Sequence, residues 1–100
     1  MIFDIVADIT FLEDVAEPKR NGVKSGYAPH HQFPHLDWLA SGFQYYQDEK
    51  LHFPGETVEA GIRFVSWELL RESLLPGMAF EVRESGRVVG TGQIKDIRGS

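Results

Sequence analysis

Four histidines, His30, His31, His35 and His52, are the side chains best suited to metal or proton chemistry. In an extended chain His31 and His35 share a face while His30 points away. A zinc site needs three or four converging nitrogen, sulfur or oxygen ligands. The sequence has no cysteine and no helical pair of histidines, so no metal site is expected and the histidines read as surface or partner-facing groups. Asp4 and Asp8 share a strand face, as do Glu59 and Arg63. Paired carboxylates do general acid–base work when burial drives their pKa values apart. On an outward face they solvate instead. No serine, histidine and aspartate carry nucleophile-elbow spacing. The expectation is no catalytic residue and no cofactor. A small enzyme with a pocket lined by His30, His31 or His35 is the least supported reading.

The stretch RESGRVVGTGQI, Arg83 to Ile94, is rich enough in glycine to suggest a phosphate cradle. Such a loop needs a helix N-terminus after it, where backbone N–H groups and the helix dipole hold the anion. Here Gly90 and Gly92 lead into Gln93, Ile94, Lys95, Asp96 and Ile97, with no helical pattern, and no P-loop signature occurs elsewhere. The architectural reading explains more. Val88, Gly90, Gly92 and Ile94 alternate on the inward face of a strand, and small residues opposite bulky ones such as Phe80 suit a narrow barrel.

The positions of these groups depend on the elements that carry them. Residues 2–12 alternate, with Phe3, Ile5, Ala7, Ile9 and Phe11 on one face, the pattern of a half-buried strand. Residues 13–25 are polar, hold Pro18 and an Asn21-Gly22 pair, and read as a long loop. Two irregular strands follow near 26–33 and 36–46, bent at Pro34. Residues 56–65 form the clearest strand, with Val58, Ala60, Ile62 and Phe64 facing inward. Trp67, Leu70 and Leu74 then fall at helical spacing, with Ser66 placed to cap and Pro76-Gly77 to stop a short helical turn near 67–75. A hairpin around Glu84-Ser85-Gly86 closes the chain. Six strands in antiparallel hairpins define one all-β domain over residues 1–100, a small closed barrel or sandwich.

Bulk properties narrow the function classes. The net charge is −5, which opposes a general nucleic-acid binder, because such binding is driven by neutralising phosphates. The start, MIFDIVADIT, lacks a basic leader region, and no apolar run approaches the ~20 residues that span a bilayer. The expectation is a cytoplasmic protein with no membrane partner. Residues 36–46 are apolar on both faces, with Trp38, Ala40 and Tyr46 on one and Leu39, Phe43 and Tyr45 on the other. A strand apolar on both faces is normally covered on both. Either a partner chain or a second copy covers the outer face, or segment 66–77 folds back over it with Trp67, Leu70 and Leu74.

Three blocks of this sequence resemble the third, C-terminal domain of elongation factor Tu. Gly77 to Gly92, G-M-A-F-E-V-R-E-S-G-R-V-V-G-T-G, is similar to that domain's closing hairpin, G-x-x-F-x-I/V-R-E-G-G-R-T-V-G-x-G. Pro54-Gly55-Glu56 stands where the family has its turn before a strand. Gly26, Tyr27, Pro29, Phe33 and Asp37 match the family's G-Y-R-P-x-x-x-F-x-x-x-D without a gap. The resemblance implies a six-stranded antiparallel Greek-key closed barrel. In the intact factor this domain packs on the GTPase domain, touches the T-stem of aminoacyl-tRNA and contacts the exchange factor. This chain departs from the family where Ala28 replaces the arginine of G-Y-R-P and Ser85 a glycine of the hairpin turn. The segment before Gly26, Glu17 to Val23, also differs. These changes argue against a retained tRNA contact.

The expected function is therefore a non-catalytic binding module without GTPase activity of its own. Its partner is expected to be an unidentified protein, one of the translation apparatus being a candidate, or a second copy, with weak tRNA-stem binding as the alternative. The candidate contact residues are Tyr27, His30, His31, Trp38, Tyr45, Trp67, Arg83, Glu84 and Arg87.

Overall fold

In a computed structural model, which describes residues 2–15 and 18–99, the chain folds as six strands and one helical turn. Ala16 and Glu17, inside the expected loop 13–25, lie outside the described residues. The strands are β1 (Ile5–Phe11), β2 (His30–Gln32), β3 (Ala40–Tyr46), β4 (Thr57–Phe64), β5 (Ala79–Glu84) and β6 (Arg87–Ile97). The helix α1 (Trp67–Leu70) joins β4 to β5. The order around the sheet is β1-β4-β3-β2-β5-β6, closed by β6 against β1, with every neighbouring pair antiparallel. Strands β2, β3 and β4 follow one another as a meander, and β1 lies beside β4, which is a Greek key. Closure leaves no free sheet edge.

Alternation places the core. Ile5, Ala7, Ile9 and Phe11 from β1 meet Ala60, Ile62 and Phe64 from β4, and Phe80 and Val82 from β5. The Phe33 ring lies tilted at 5.1 Å from Phe80 and edge-on at 5.9 Å from Phe64. Gly92 lies under the Phe80 ring, where an added Cβ would sit 2.2 Å from Phe80 Cζ. The glycines of the last strand are thus structural, as their alternation implies. One inward assignment is displaced. Register shifts between Val82 and Arg83, so that Val82 pairs with Gly90 while Arg83 pairs with Val88. This bulge turns Val89 into the core and Val88 away from it.

The first strand also starts later than its pattern suggests. Phe3 precedes β1 and folds onto the outer wall, where it stacks on Tyr45 at 5.9 Å and covers Gly61. A Cβ at Gly61 would lie 2.2 Å from the Phe3 ring, so glycine there makes room for it. Val6, on the outer face of β1, pairs with Gly61 and is buried in the same cluster. The outer face of β3 is therefore covered in part by the chain's own N-terminal segment. Segment 66–77 does something else: it plugs one end of the barrel. Leu70 and Leu74 join the core, and Trp67 stacks on Phe64 at 6.1 Å. Ser66 occupies the N-cap position without a side-chain hydrogen bond.

The two proline-interrupted strands are shorter than expected. Only His30–Gln32 and Ala40–Tyr46 pair as strands, because Pro29 and Pro34 remove ladder donors on either side of β2. Tyr27 keeps an isolated bridge to Gln44, and Leu36 N–H turns back to the Phe33 carbonyl at 3.1 Å.

Candidate functional site

The polar side chains converge most closely where the β5–β6 hairpin meets the segment before β2. Glu84, at the end of β5, accepts the Tyr27 hydroxyl proton on Oε2. Lys19 Nζ lies 2.9 Å from Glu84 Oε2 and 3.1 Å from Oε1, and Arg87 Nη2 lies 3.4 Å from Oε1. The Lys19 ammonium also stands 5.7 Å from the centre of the Tyr27 ring, in cation–π range. Burial pushes the Glu84 carboxyl up, but hydrogen bonds from Tyr27 and Lys19 and the charges of Lys19 and Arg87 outweigh it, holding it below the usual range. Tyr27 is pushed well above an ordinary phenol, first by burial and then by the Glu84 carboxylate. A neutral phenol and two cations therefore converge on one carboxylate. Such a group clasps chain segments together.

Arg83 stands apart from this clasp. Its guanidinium donates to Glu81 Oε1 at 2.7 and 3.0 Å and to the Gly86 carbonyl at 2.8 Å. Of the expected contact residues, Tyr27, Glu84 and Arg87 are brought together, and Arg83 is turned to its own hairpin. His30 is half-buried on β2 opposite Arg83. Trp38 and Trp67 are half-buried against the core, and Tyr45 is half-buried beneath Phe3.

His31 lies inside the barrel, fully buried between the rings of Phe64, at 5.1 Å, and Phe80, at 5.9 Å. That corrects its reading as a partner-facing residue: β2 alternation points it inward. Its Nδ1 lies 3.0 Å from the Ala40 carbonyl, which can only accept, so the single imidazole proton is on Nδ1. Nε2 then accepts from Gln44 Nε2 at 3.2 Å, and Gln44 Oε1 accepts from the Tyr46 hydroxyl at 2.8 Å. This polar chain runs from Tyr46 through Gln44 and His31 to Ala40 with every step satisfied. Burial pushes the His31 pKa down to about 4, against a smaller opposing effect of the Ala40 bond. Gln44 was legible as a polar residue at an inward position of β3, between Gly42 and Tyr46, but its partner on β2 was not.

Two further histidines hold loops. His52 is buried with Nε2 2.9 Å from Asp48 Oδ1 and Nδ1 3.2 Å from Glu56 Oε1. Asp48 is held below the usual carboxylate range by the Lys50 backbone N–H and by His52, and Glu56 by the Phe53 N–H and by His52. The two carboxylates lie at opposite nitrogens of one ring and share no point for an ion. No group of three metal-ligating side chains is formed among the described residues. His35 Nε2 lies 3.0 Å from Ser73 Oγ, a serine–histidine contact between distant segments. Ser73 Oγ also lies 3.1 Å from the Leu70 carbonyl, to which it can donate. This pair pins the helical plug to the β2–β3 connection.

The apolar surface gathers elsewhere. Leu69 and Leu75 on the plug segment are 72% and 65% exposed, and Val65 just before it 68%, although Leu70 and Leu74 are buried. Phe43, on the outer face of β3, is 40% exposed. A groove of about 390 Å³ on the outer wall is lined by Gln32, Pro34, Ala79, Phe80, Glu81 and Thr91. No helix among the described residues is long and apolar enough to cross a membrane. No protein-family model matches the sequence, and no curated protein matches it.

Proposed function

We propose that this chain is a non-catalytic binding module that engages a protein partner through the plugged end of its barrel. The observation carrying this reading is the trio of large apolar side chains, Val65, Leu69 and Leu75, left in water on or just before a segment whose other leucines are buried. Exposed apolar groups that gather along one connection mark a protein contact, whereas single scattered ones are ordinary on a surface. The clasp supports the non-catalytic part: Tyr27, Lys19 and Arg87 are all turned onto Glu84, joining chain segments. The net charge of −5, and the pairing of Arg83 with Glu81 and of Arg87 with Glu84 on the hairpin, weaken the tRNA alternative. The resemblance to the third domain of elongation factor Tu supports a cytoplasmic, translation-related partner over a homodimer.

The test compares proteins captured from cell extract by the wild-type chain, by Leu69→Glu and by Leu51→Glu, which alters an exposed leucine on the β3–β4 connection instead. A partner retained by wild type and Leu51→Glu but lost with Leu69→Glu is the expected result. Equal capture by all three variants, or none above background, removes the proposal. A dimeric solution mass that Leu69→Glu makes monomeric transfers the surface to a second copy.

A further inference from the structure

Asn21 is the only asparagine in the chain, and glycine follows it. The pair sits in an exposed turn between β1 and β2, where the Gly22 N–H donates to the Lys19 carbonyl at 2.9 Å. An asparagine before glycine is chemically labile, because the next backbone nitrogen can reach its side-chain carbonyl and no Cβ obstructs the approach. Here the fold requires the glycine. Gly22 has φ of +79°, and a Cβ would stand 2.9 Å from Phe53 Cε1 and 3.3 Å from the His52 carbonyl oxygen.

We propose that Asn21 is a site of spontaneous covalent modification, deamidation through a cyclic imide, which alters how the β1–β2 loop is anchored. Hydroxide removes the Gly22 amide proton and the nitrogen bonds to Asn21 Cγ. The bond from Cγ to Nδ2 breaks, and ammonia leaves with the proton it gains from water. Water then opens the five-membered ring at either carbonyl. One opening gives aspartate; the other gives isoaspartate, whose backbone runs through Cγ and is one methylene longer.

Ring closure breaks the turn's Gly22 to Lys19 hydrogen bond. An exposed hydrogen bond contributes about 1 kcal/mol net. At 1.36 kcal/mol for each factor of ten, loss of this bond slows the reaction by about fivefold. The modified residue sits between two anchors. Lys19 is seated on Glu84 at 2.9 Å, and Val23 exchanges both backbone hydrogen bonds with His52 at 2.9 and 2.7 Å. An added methylene and a new carboxylate beside Lys19 and Arg20 change both the span and the charge of that short link.

The experiment incubates the full chain at mildly alkaline pH beside a synthetic peptide of residues 18–25, with peptide mapping of position 21. The folded chain is expected to convert within about tenfold of the peptide rate. Asn21→Gln is expected to stay unmodified, because its six-membered imide closes far more slowly. The purified isoaspartyl form is expected to exchange the Val23 and His52 amide hydrogens faster than the unmodified chain. A folded chain that stays intact while the peptide converts overturns the site. Unchanged exchange at Val23 and His52 in the isoaspartyl form overturns the link to loop anchoring.

Discussion

Phe80 of β5 and Gly92 of β6 face each other in register, and the tip of the phenyl ring occupies the volume that a side chain at 92 would need. The barrel is narrow enough that one strand must be bare for its neighbour to carry a ring. Gly92→Ala is therefore expected to destabilise the fold by about 1–3 kcal/mol, the usual cost of overpacking a filled core. Denaturant midpoints measure it. Phe80→Leu should be costly alone yet recover part of the Gly92→Ala loss in the double variant. Fully additive losses in the two would contradict the relationship.

The imidazole of His31 gives the fold a defined acid sensitivity. Its folded pKa, near 4, lies below the unfolded value of 6.5. The unfolded chain therefore takes up a proton that the native barrel excludes. Stability from this group is complete above about pH 6.5 and is lost as pH falls towards 4, by up to about 3 kcal/mol. The double variant His31→Phe with Gln44→Leu removes the titrating ring and the amide that needs it. Its stability should be flatter across that pH window than the wild type's. Parallel curves for the two proteins would show that other groups govern the response.

Much of this fold was legible in the chain, and the failures share one cause. Alternation fixed the inward sets of β1, β4 and β5, and Gly90 and Gly92 announced a crowded interior. Alternation assumes an unbroken ladder, however. It therefore placed Val88 inside, where the bulge puts Val89, and carried Phe3 into a strand that starts at Ile5. The apolar outer face of β3 was visible as a pattern, but its cover was not, because Phe3 is distant in sequence. The candidate contacts Tyr27, Glu84 and Arg87 were named separately, and only closure of the barrel brings them together with Lys19.

The clasp around Glu84 is expected to contribute unevenly. Tyr27→Phe removes a hydrogen bond to a carboxylate in a partly buried setting and should cost about 1.5–3 kcal/mol. Lys19→Met removes a more exposed ion pair and should cost less than about 1 kcal/mol, with a difference that fades at high salt. Thermal or chemical unfolding at low and high salt separates the two. A larger loss for Lys19→Met than for Tyr27→Phe would mean that the phenol is not the principal anchor.

Adjacent leucines on the plug make opposite predictions, and this separates a binding surface from a structural one. Leu70 is fully buried, so Leu70→Ala should destabilise by about 2–5 kcal/mol. Leu69 is mostly in water, so Leu69→Ala should change stability by no more than about 0.5 kcal/mol. Burial alone gives the isolated chain no use for an apolar group at 69. If Leu69→Ala proves as destabilising as Leu70→Ala, residue 69 packs inside the isolated barrel, and the plugged end has no apolar side chain to offer a partner there. If it is neutral while weakening partner capture, the two roles of α1 are divided between its faces: Leu70 seals the barrel and Leu69 meets what binds it.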